Sequence, residues 1–304
     1  MIPYKYKQLT RQISYGETIQ KYKTKLREPH LGQLKLFFTE LFFLSKHAKP
    51  GNKVLYIGAA NGYHINKLVE LFPELMFDLW DPGKFEIKES KNVKINNKYF
   101  TDDYARKYVH ERQNILFISD IRTIKIGQYT KEGNIEKIDE LVMDDMEMQA
   151  NWVKIIRPGN AYLKFRLPYH GHKFKYLKGT IYLQPYSPLS TEARLMTNDY
   201  DSYKEYDATE YDEKFAYFNY ITRQTYRTDK WDTCLNKYHI YNFWDNILAL
   251  YITKFYIYKK YNTKSNSKAC KLFIEIVAFH QERLKNVGKY VFEKIIQSND
   301  PTIS

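Results

Sequence analysis

Residues 53–81 read KVLYIGAANGYHINKLVELFPELMFDLWD. Two short apolar runs, 53–59 and 75–81, flank a segment at 62–72 whose apolar residues recur at helical spacing. Strand, glycine-bounded turn, helix and strand make a βαβ unit, and continuously apolar strands belong to a parallel sheet covered on both faces. The same alternation continues downstream: NILFISD (114–120) and AYLKFRL (161–167) read as strands, with a helix at 137–156 between them. KGTIYLQPY (178–186) and EARLMTN (192–198) are close enough to form an antiparallel edge pair. Upstream, LGQLKLFFTELFFLSKHA (31–48) sets Leu34, Phe37, Phe38, Leu41, Phe42 and Leu44 at helical spacing, which predicts a strongly amphipathic helix ending at the Pro50-Gly51 break. From about residue 230, WDNILALYITKFYIYKKY and KLFIEIVAFHQERLKNVGKYVFEKII read as two helices separated by TKSNSK. The expected fold is therefore α/β, a mostly parallel doubly wound sheet with an antiparallel edge pair and helices on both faces. With no repeat and no long linker, residues 1–304 are expected to form one domain: a basic arm (1–30), a core (31–225) and a basic helical extension (226–304).

The chain has 304 residues, 43% hydrophobic, and no apolar run approaching the ~20 residues of a membrane span, which excludes disorder and an integral membrane protein. The start, MIPYKYKQLT, has no apolar h-region, so the protein is expected in a reducing cytoplasm. Cys234 and Cys270 lack a CxxC or Cys/His cluster and are read as separate core or surface thiols, with neither structural metal nor a disulfide framework supported. The net charge of +13 is concentrated at the ends: residues 1–50 and 251–290 each carry +7, whereas 51–250 hold 28 basic and 28 acidic residues. Basic arms around a neutral centre favour a polyanion such as nucleic acid. Lysines that merely keep the surface soluble are the competing account.

In a doubly wound sheet, ligands bind outside the carboxyl ends of the strands, so the residues that end each strand matter most. The first strand ends in Gly58-Ala59-Ala60-Asn61-Gly62, which lacks the central glycine that admits a pyrophosphate and fits a nucleoside without one; plain turn chemistry is the competing and commoner account of such a turn. Asp81 ends the next strand about twenty residues on, where a carboxylate can accept from both ribose hydroxyls. Its other reading is a turn cap in Asp81-Pro82-Gly83. Asp120 and Lys164 end two further strands; an acid and a base on one sheet edge suggest a site, with a structural salt bridge as the alternative. The acidic run Glu136, Asp139, Glu140, Asp144, Asp145, Glu147 has no metal-loop spacing and reads as one solvated helix face. The Tyr and Phe of 200–262 could suggest base stacking, but at helical and strand spacing they are read as core.

Gly32-Gln33-Leu34-Lys35 followed by ELFFLSK, then YIGAANGYHI, ISDIR, LKFR and LQPYSPLSTEARL, resembles the poxvirus family of cap-specific mRNA 2′-O-methyltransferases that also serve as small subunit of the viral poly(A) polymerase. The likeness runs from about residue 15 to about 225, with several motifs in order at matching spacing. It implies a Rossmann-like fold, S-adenosylmethionine as methyl donor, and a catalytic tetrad on Lys35, Asp120, Lys164 and Glu192. It also places Gln33, Gly58, Gly62, Asp81 and Asp120 against the donor, with Thr101 near the adenine. Asn61 stands where a proline is usual, and Pro82-Gly83-Lys84 replaces a Gly-Arg pair. For the cap, the resemblance implies a 7-methylguanine held between two rings, Tyr169 and Tyr15, with Asp212 as one acid. The second acid position falls on Gly171, and a supporting tyrosine falls on Leu189.

A ribose hydroxyl is a poor nucleophile at neutral pH and needs a base within reach. Lys164 is assigned that task, its pKa depressed by Lys35 and a desolvated pocket, with Asp120 orienting it and Glu192 fixing Lys35. Arg122 and Arg166 are assigned to RNA phosphates. Three functions follow: a cap methyltransferase acting on capped mRNA, with a poly(A) polymerase catalytic subunit as partner; an accessory subunit that only grips RNA; or a methyltransferase of the same tetrad class acting on ribosomal or transfer RNA. The intact tetrad favours the first and third, and Tyr15, Tyr169 and Asp212 favour the first over the third. No metal and no membrane enter any of them.

Overall fold

A computed structural model of the chain describes residues 2–14, 31–123, 135–169, 173–283 and 295. The α-helices of six residues or more and the strands, in chain order, are α1 (Gly32–His47), β1 (Lys53–Ile57), α2 (Tyr63–Leu71), β2 (Met76–Trp80), β3 (Val93–Asn96), α3 (Asp102–Lys107), β4 (Ile115–Ser119), α4 (Ile135–Ile156) and β5 (Asn160–Phe165). They continue as β6 (Lys173–Leu177), β7 (Thr180–Tyr182), β8 (Ala193–Thr197), β9 (Tyr203–Asp207), α5 (Ala208–Tyr217), α6 (Asp232–Lys237), α7 (Trp244–Tyr261) and α8 (Asn266–Arg283). Seven strands form one sheet in the order β3-β2-β1-β4-β5-β8-β7. The first five run parallel, and β8 lies antiparallel to both β5 and β7. The expected edge pair is present, and β8 rather than β7 makes its junction with the parallel strands.

The chain winds from β1 outward to β3, returns to the other side of β1 as β4, and so makes its switch point between β1 and β4. Residues Gly58, Asp81 and Asp120 immediately follow β1, β2 and β4, and Ile57 aligns with both Trp80 and Ser119. All three therefore emerge at one level of the carboxyl edge. Register also sets Lys164 directly opposite Arg194 across β5 and β8.

Sequence periodicity missed β3, α3 and a second sheet in which β6 pairs with β9. Those strands are short and half polar: KFKYL and YKEYD keep their outer residues exposed, so no apolar run marks them. Helix α1 also differs from its amphipathic reading, because every residue from Leu34 to Leu44 is buried. Phe43 stacks on Tyr162 of β5, while Phe42 meets Phe255 of α7 and Phe38 meets Phe273 of α8. The helix is thus enclosed between the sheet and the two C-terminal helices, and the polar residues Lys35, Thr39 and Glu40 lie inside with it.

Cys234 and Cys270 are joined by a disulfide, contrary to the reading as separate thiols. They stand 36 positions apart in sequence, and α7 folds the chain back between them, bringing α6 and α8 together with the two Cα atoms 6.0 Å apart. The acidic run on α4 is also corrected. Glu140, Asp144 and Glu147 face solvent, but Asp139 and Asp145 are buried. The side chain of Glu136 lies outside the described residues. Asp145 accepts from the Thr123 backbone and hydroxyl, at 3.0 and 2.5 Å, tying the chain after β4 to the helix.

Among the described residues, no helix is long and apolar enough to cross a membrane.

Candidate active site

Four charged side chains converge at the carboxyl edge. Asp120 is held in place by its backbone, which donates to Ile57 O at 2.9 Å, and Lys164 reaches it from the neighbouring strand with Nζ 2.9 Å from Oδ1. Lys35, near the start of α1, pairs with Glu192 Oε1 at 2.5 Å, and Glu192 Oε2 lies 4.0 Å from Lys164 Nζ. The side chains of Lys35, Glu192, Lys164 and Asp120 are only 6, 12, 14 and 16% exposed. Three elements distant in sequence, α1, the β4 end and the β5/β8 pair, are needed to assemble them.

Arg194 is the residue that sequence reasoning missed. It is 1% exposed and donates to Asp120 Oδ1 at 2.7 Å, Ser119 O at 2.8 Å and Gln184 Oε1 at 2.9 Å. Two cations opposite one another across β5 and β8 would repel, and Asp120 lies between them as the shared acceptor. The ARL of the β8 motif was quoted for its likeness, but its inward alternation from Glu192 was the available signal. Gln184 closes the ring from the far side, donating to Glu192 Oε1 at 3.2 Å.

The electrostatics follow from burial and these partners. Burial pushes the Lys164 ammonium below the ordinary lysine range; Asp120 and Glu192 oppose this, while Arg122 and Arg194 add to it. Of the two causes expected, Lys35 and a desolvated pocket, burial is the one that acts, while Lys35 is paired with Glu192. Burial alone would raise Asp120, yet Lys164, Arg194 and Lys35 outweigh it and hold the carboxyl well below the usual range. Glu192 is lowered in the same way, by Lys35, Lys164 and Arg194 against its burial.

The neighbouring turn after β1 is built on two glycines. Gly58 has φ +78°, and a Cβ there would sit 2.7 Å from Asp120 C and Ile121 N, so only glycine lets the first turn pass this close to the end of β4. Gly62, at φ +72°, caps the start of α2. Asp81 Oδ1 accepts from Gly83 N at 2.7 Å and Oδ2 from Ala60 N at 3.2 Å, which makes it a turn cap and leaves lone pairs on both oxygens. Gln33 Oε1 accepts from the His64 backbone at 3.1 Å and contacts His64 Nδ1 at 2.9 Å, leaving its amide NH₂ as a donor. His64 continues the chain to Glu40, which in turn accepts from Tyr56 at 2.6 Å, a buried network unmarked by any motif. Thr101 lies exposed ahead of α3, beyond β3.

A second cluster adjoins the tetrad strand. Arg166 was assigned to phosphates, but its guanidinium is ion-paired with Asp139 and lies over the Tyr169 ring, 4.0 Å from the centroid. Asp139 also accepts from Tyr169 N at 2.7 Å, so one buried carboxylate fixes both residues. Arg122 lies 3.6 Å from Glu192 and remains 46% exposed, so it stands at the mouth of the site. Asp212, on α5, is 8% exposed, and its Oδ1 has no hydrogen-bond partner among the described residues. Burial pushes it up to about 7, against the pull of Arg166 and with a push from Asp139. Tyr15 and Gly171 lie outside the described residues.

A parallel sheet wound from β1, with an antiparallel β8/β7 margin and its polar site at the switch point, is a Rossmann-like methyltransferase fold. The chain belongs to the poly A polymerase regulatory subunit family, whose sequence model matches residues 2–281. It is similar to a fowlpox virus (strain NVSL) protein named cap-specific mRNA (nucleoside-2′-O-)-methyltransferase, 28% identical over 305 residues, covering 92% of this chain and 93% of the relative. A myxoma virus (strain Lausanne) protein of the same name is 26% identical over 289 residues, covering 88% of this chain and 81% of the relative.

Proposed function

We infer that the protein is a cap-specific mRNA 2′-O-methyltransferase that takes its methyl group from S-adenosylmethionine. The observation that carries this reading is a desolvated lysine, Lys164, held 2.9 Å from Asp120 on the carboxyl edge where the turn bounded by Gly58 and Gly62 and the Asp81 carboxylate also lie. The names of the viral relatives supply the substrate class, and the family's own name supplies a poly(A) polymerase catalytic subunit as protein partner.

The residues present fit the donor. Asp81 keeps lone pairs for two ribose hydroxyls, Gln33 keeps an amide donor, and Gly58 lets the first turn lie close against the end of β4 that carries Asp120. When bound, S-adenosylmethionine supplies an electrophilic methyl carbon on a sulfonium. Lys164, in its neutral form, accepts the proton of the 2′-hydroxyl at Nζ as the oxygen becomes a nucleophile. Asp120 keeps that nitrogen in place and, with Glu192, stabilises the ammonium that results. Lys35 and Glu192 hold one another and leave a donor and an acceptor for the ribose. Tyr169, clamped from below by Arg166, offers its ring to the cationic 7-methylguanine, and Asp212 offers an acceptor.

Lys164→Ala should lower methyl transfer ~10²- to 10⁴-fold while donor affinity, read by calorimetry, stays within error. The wild-type rate should rise with pH as Lys164 loses its proton, and the rise should fall at lower pH than the ~10.4 of a free lysine because burial depresses the group. A variant that keeps more than half of wild-type turnover would remove Lys164 as the base.

A further inference from the structure

Six lysines and no acid occur between residues 246 and 274. Among the described residues, none of these six makes an ion pair within 4 Å: Lys254 donates to Asn266 at 2.6 Å, Lys260 to Leu71 O, and Lys264 lies over the Tyr258 ring. On the same helix, α7, Tyr251, Tyr258 and Tyr261 are 37, 40 and 56% exposed, three of the few large hydrophobic side chains left in solvent. Lys254, Tyr258 and Tyr261 follow at helical spacing and share one outer face. Where α7 ends, Lys259 and Lys260 meet Lys46, from the end of α1, around a cleft of 180 Å³ that is also lined by Ser45 and Tyr256. Glu74 at the rim makes no ion pair with them. Lysines at helix C-termini are ordinary complements of the helix dipole, but that accounts for each helix separately and not for two ends converging on one cleft.

The cleft lies at the opposite edge of the sheet from the tetrad. Lys35 and Lys46 stand at the two ends of α1, eleven residues or ~16 Å apart along its axis, and Glu74 precedes β2. We propose that the outer face of α7 and this cleft form a binding surface for single-stranded RNA, with phosphates at Lys46, Lys259 and Lys260 and bases stacked on Tyr258 and Tyr261. Exposed rings interleaved with unpaired cations are what a flexible strand requires, because stacking is tolerant of sequence and the charges follow the backbone. A folded acidic protein would meet the charges but would leave no reason for two rings at 40 and 56% exposure beside them.

The test is fluorescence anisotropy of a labelled, uncapped 20-nucleotide RNA with the full chain between 50 and 200 mM salt. Replacing Lys254, Lys259 and Lys260 with Gln should reduce the slope of log K against log salt by about 2, since each single-strand phosphate contact contributes ~0.7. Tyr258→Ala should weaken binding about fivefold or more at fixed salt. Methyl transfer to a capped dinucleotide should be unchanged in both variants, and circular dichroism should show both folded. Because the RNA is uncapped, the outcome is independent of the methyl-transfer reading. Unchanged slope and affinity would overturn the proposal. So would poly-glutamate competing as well as RNA while Tyr258→Ala binds RNA like the wild type, an outcome that assigns the surface to an acidic protein.

Discussion

At the scale of single residues, the site works by sharing. Asp120 accepts from Lys164 and Arg194 together, so its negative charge is divided between a lysine, which can lose its proton, and an arginine, which cannot. Burial keeps Lys164 depressed despite the adjacent carboxylate, and Arg122 and Arg194 add to it. Asp139 shares in the same way, between the Arg166 guanidinium and the Tyr169 backbone. Asp139→Asn should therefore release Arg166 from beneath Tyr169 and raise KM for capped RNA severalfold with little change in kcat. Steady-state kinetics checks this, and a fall in kcat with unchanged KM would show that the clamp acts on the tetrad instead. Asp212 gives a pH prediction with a definite sign. Its folded carboxyl is raised to about 7, so the native state holds the proton more tightly than the unfolded state, and the associated stability is lost as pH rises through 7. Asp212→Asn should melt higher than the wild type at pH 8 and level with it at pH 4. Equal melting at both values would mean that the carboxylate is solvated. Lys35, Asp120, Lys164 and Glu192 were legible as a group only through motif likeness, since each alone is an ordinary charged residue. Arg194 was not, because an arginine alternating into a strand core looks unfavourable until its three acceptors are seen.

At the scale of elements, the parallel strands β1, β2, β4 and β5 and the α1, α2 and α4 helices were readable because each buries a continuous or periodic apolar face. What escaped was set by tertiary contact. The burial of α1 on all sides requires α7 and α8, and the union of Cys234 with Cys270 requires the turn of chain between them. The segment leading into β8 is placed by another such contact. Arg223 and Asp245, each 1% exposed, form a buried pair at 2.6 Å; Arg223 also donates to Ser187 O, and Asp245 accepts from Tyr186 N. α7 thereby holds the loop that delivers Glu192. Asp245→Ala leaves a buried guanidinium unpaired and should cost about 3–5 kcal/mol, measured by urea unfolding. A loss below about 1 kcal/mol would put the pair in the range of solvent-exposed bridges.

At the scale of the whole molecule, two edges of one sheet carry different chemistry. The carboxyl edge gathers the tetrad, the glycine turn and the Tyr169 clamp, while the amino edge carries lysines and exposed tyrosines. The uneven charge noted in the sequence, +7 in residues 1–50 and +7 in residues 251–290, partly resolves into this second surface. Composition indicated a polyanionic partner but could not say where it lies, because only the packing of α1 against α7 brings the two basic stretches together. The central claim concerns the 5′ end of the RNA. It is tested most directly by methyl transfer from labelled S-adenosylmethionine to RNAs identical except for that end: 7-methylguanosine-capped, uncapped, and capped with the first ribose already 2′-O-methylated. Label should enter the capped RNA alone, at the first transcribed nucleotide. Equal incorporation into all three would contradict a cap-specific enzyme and assign the tetrad to internal RNA.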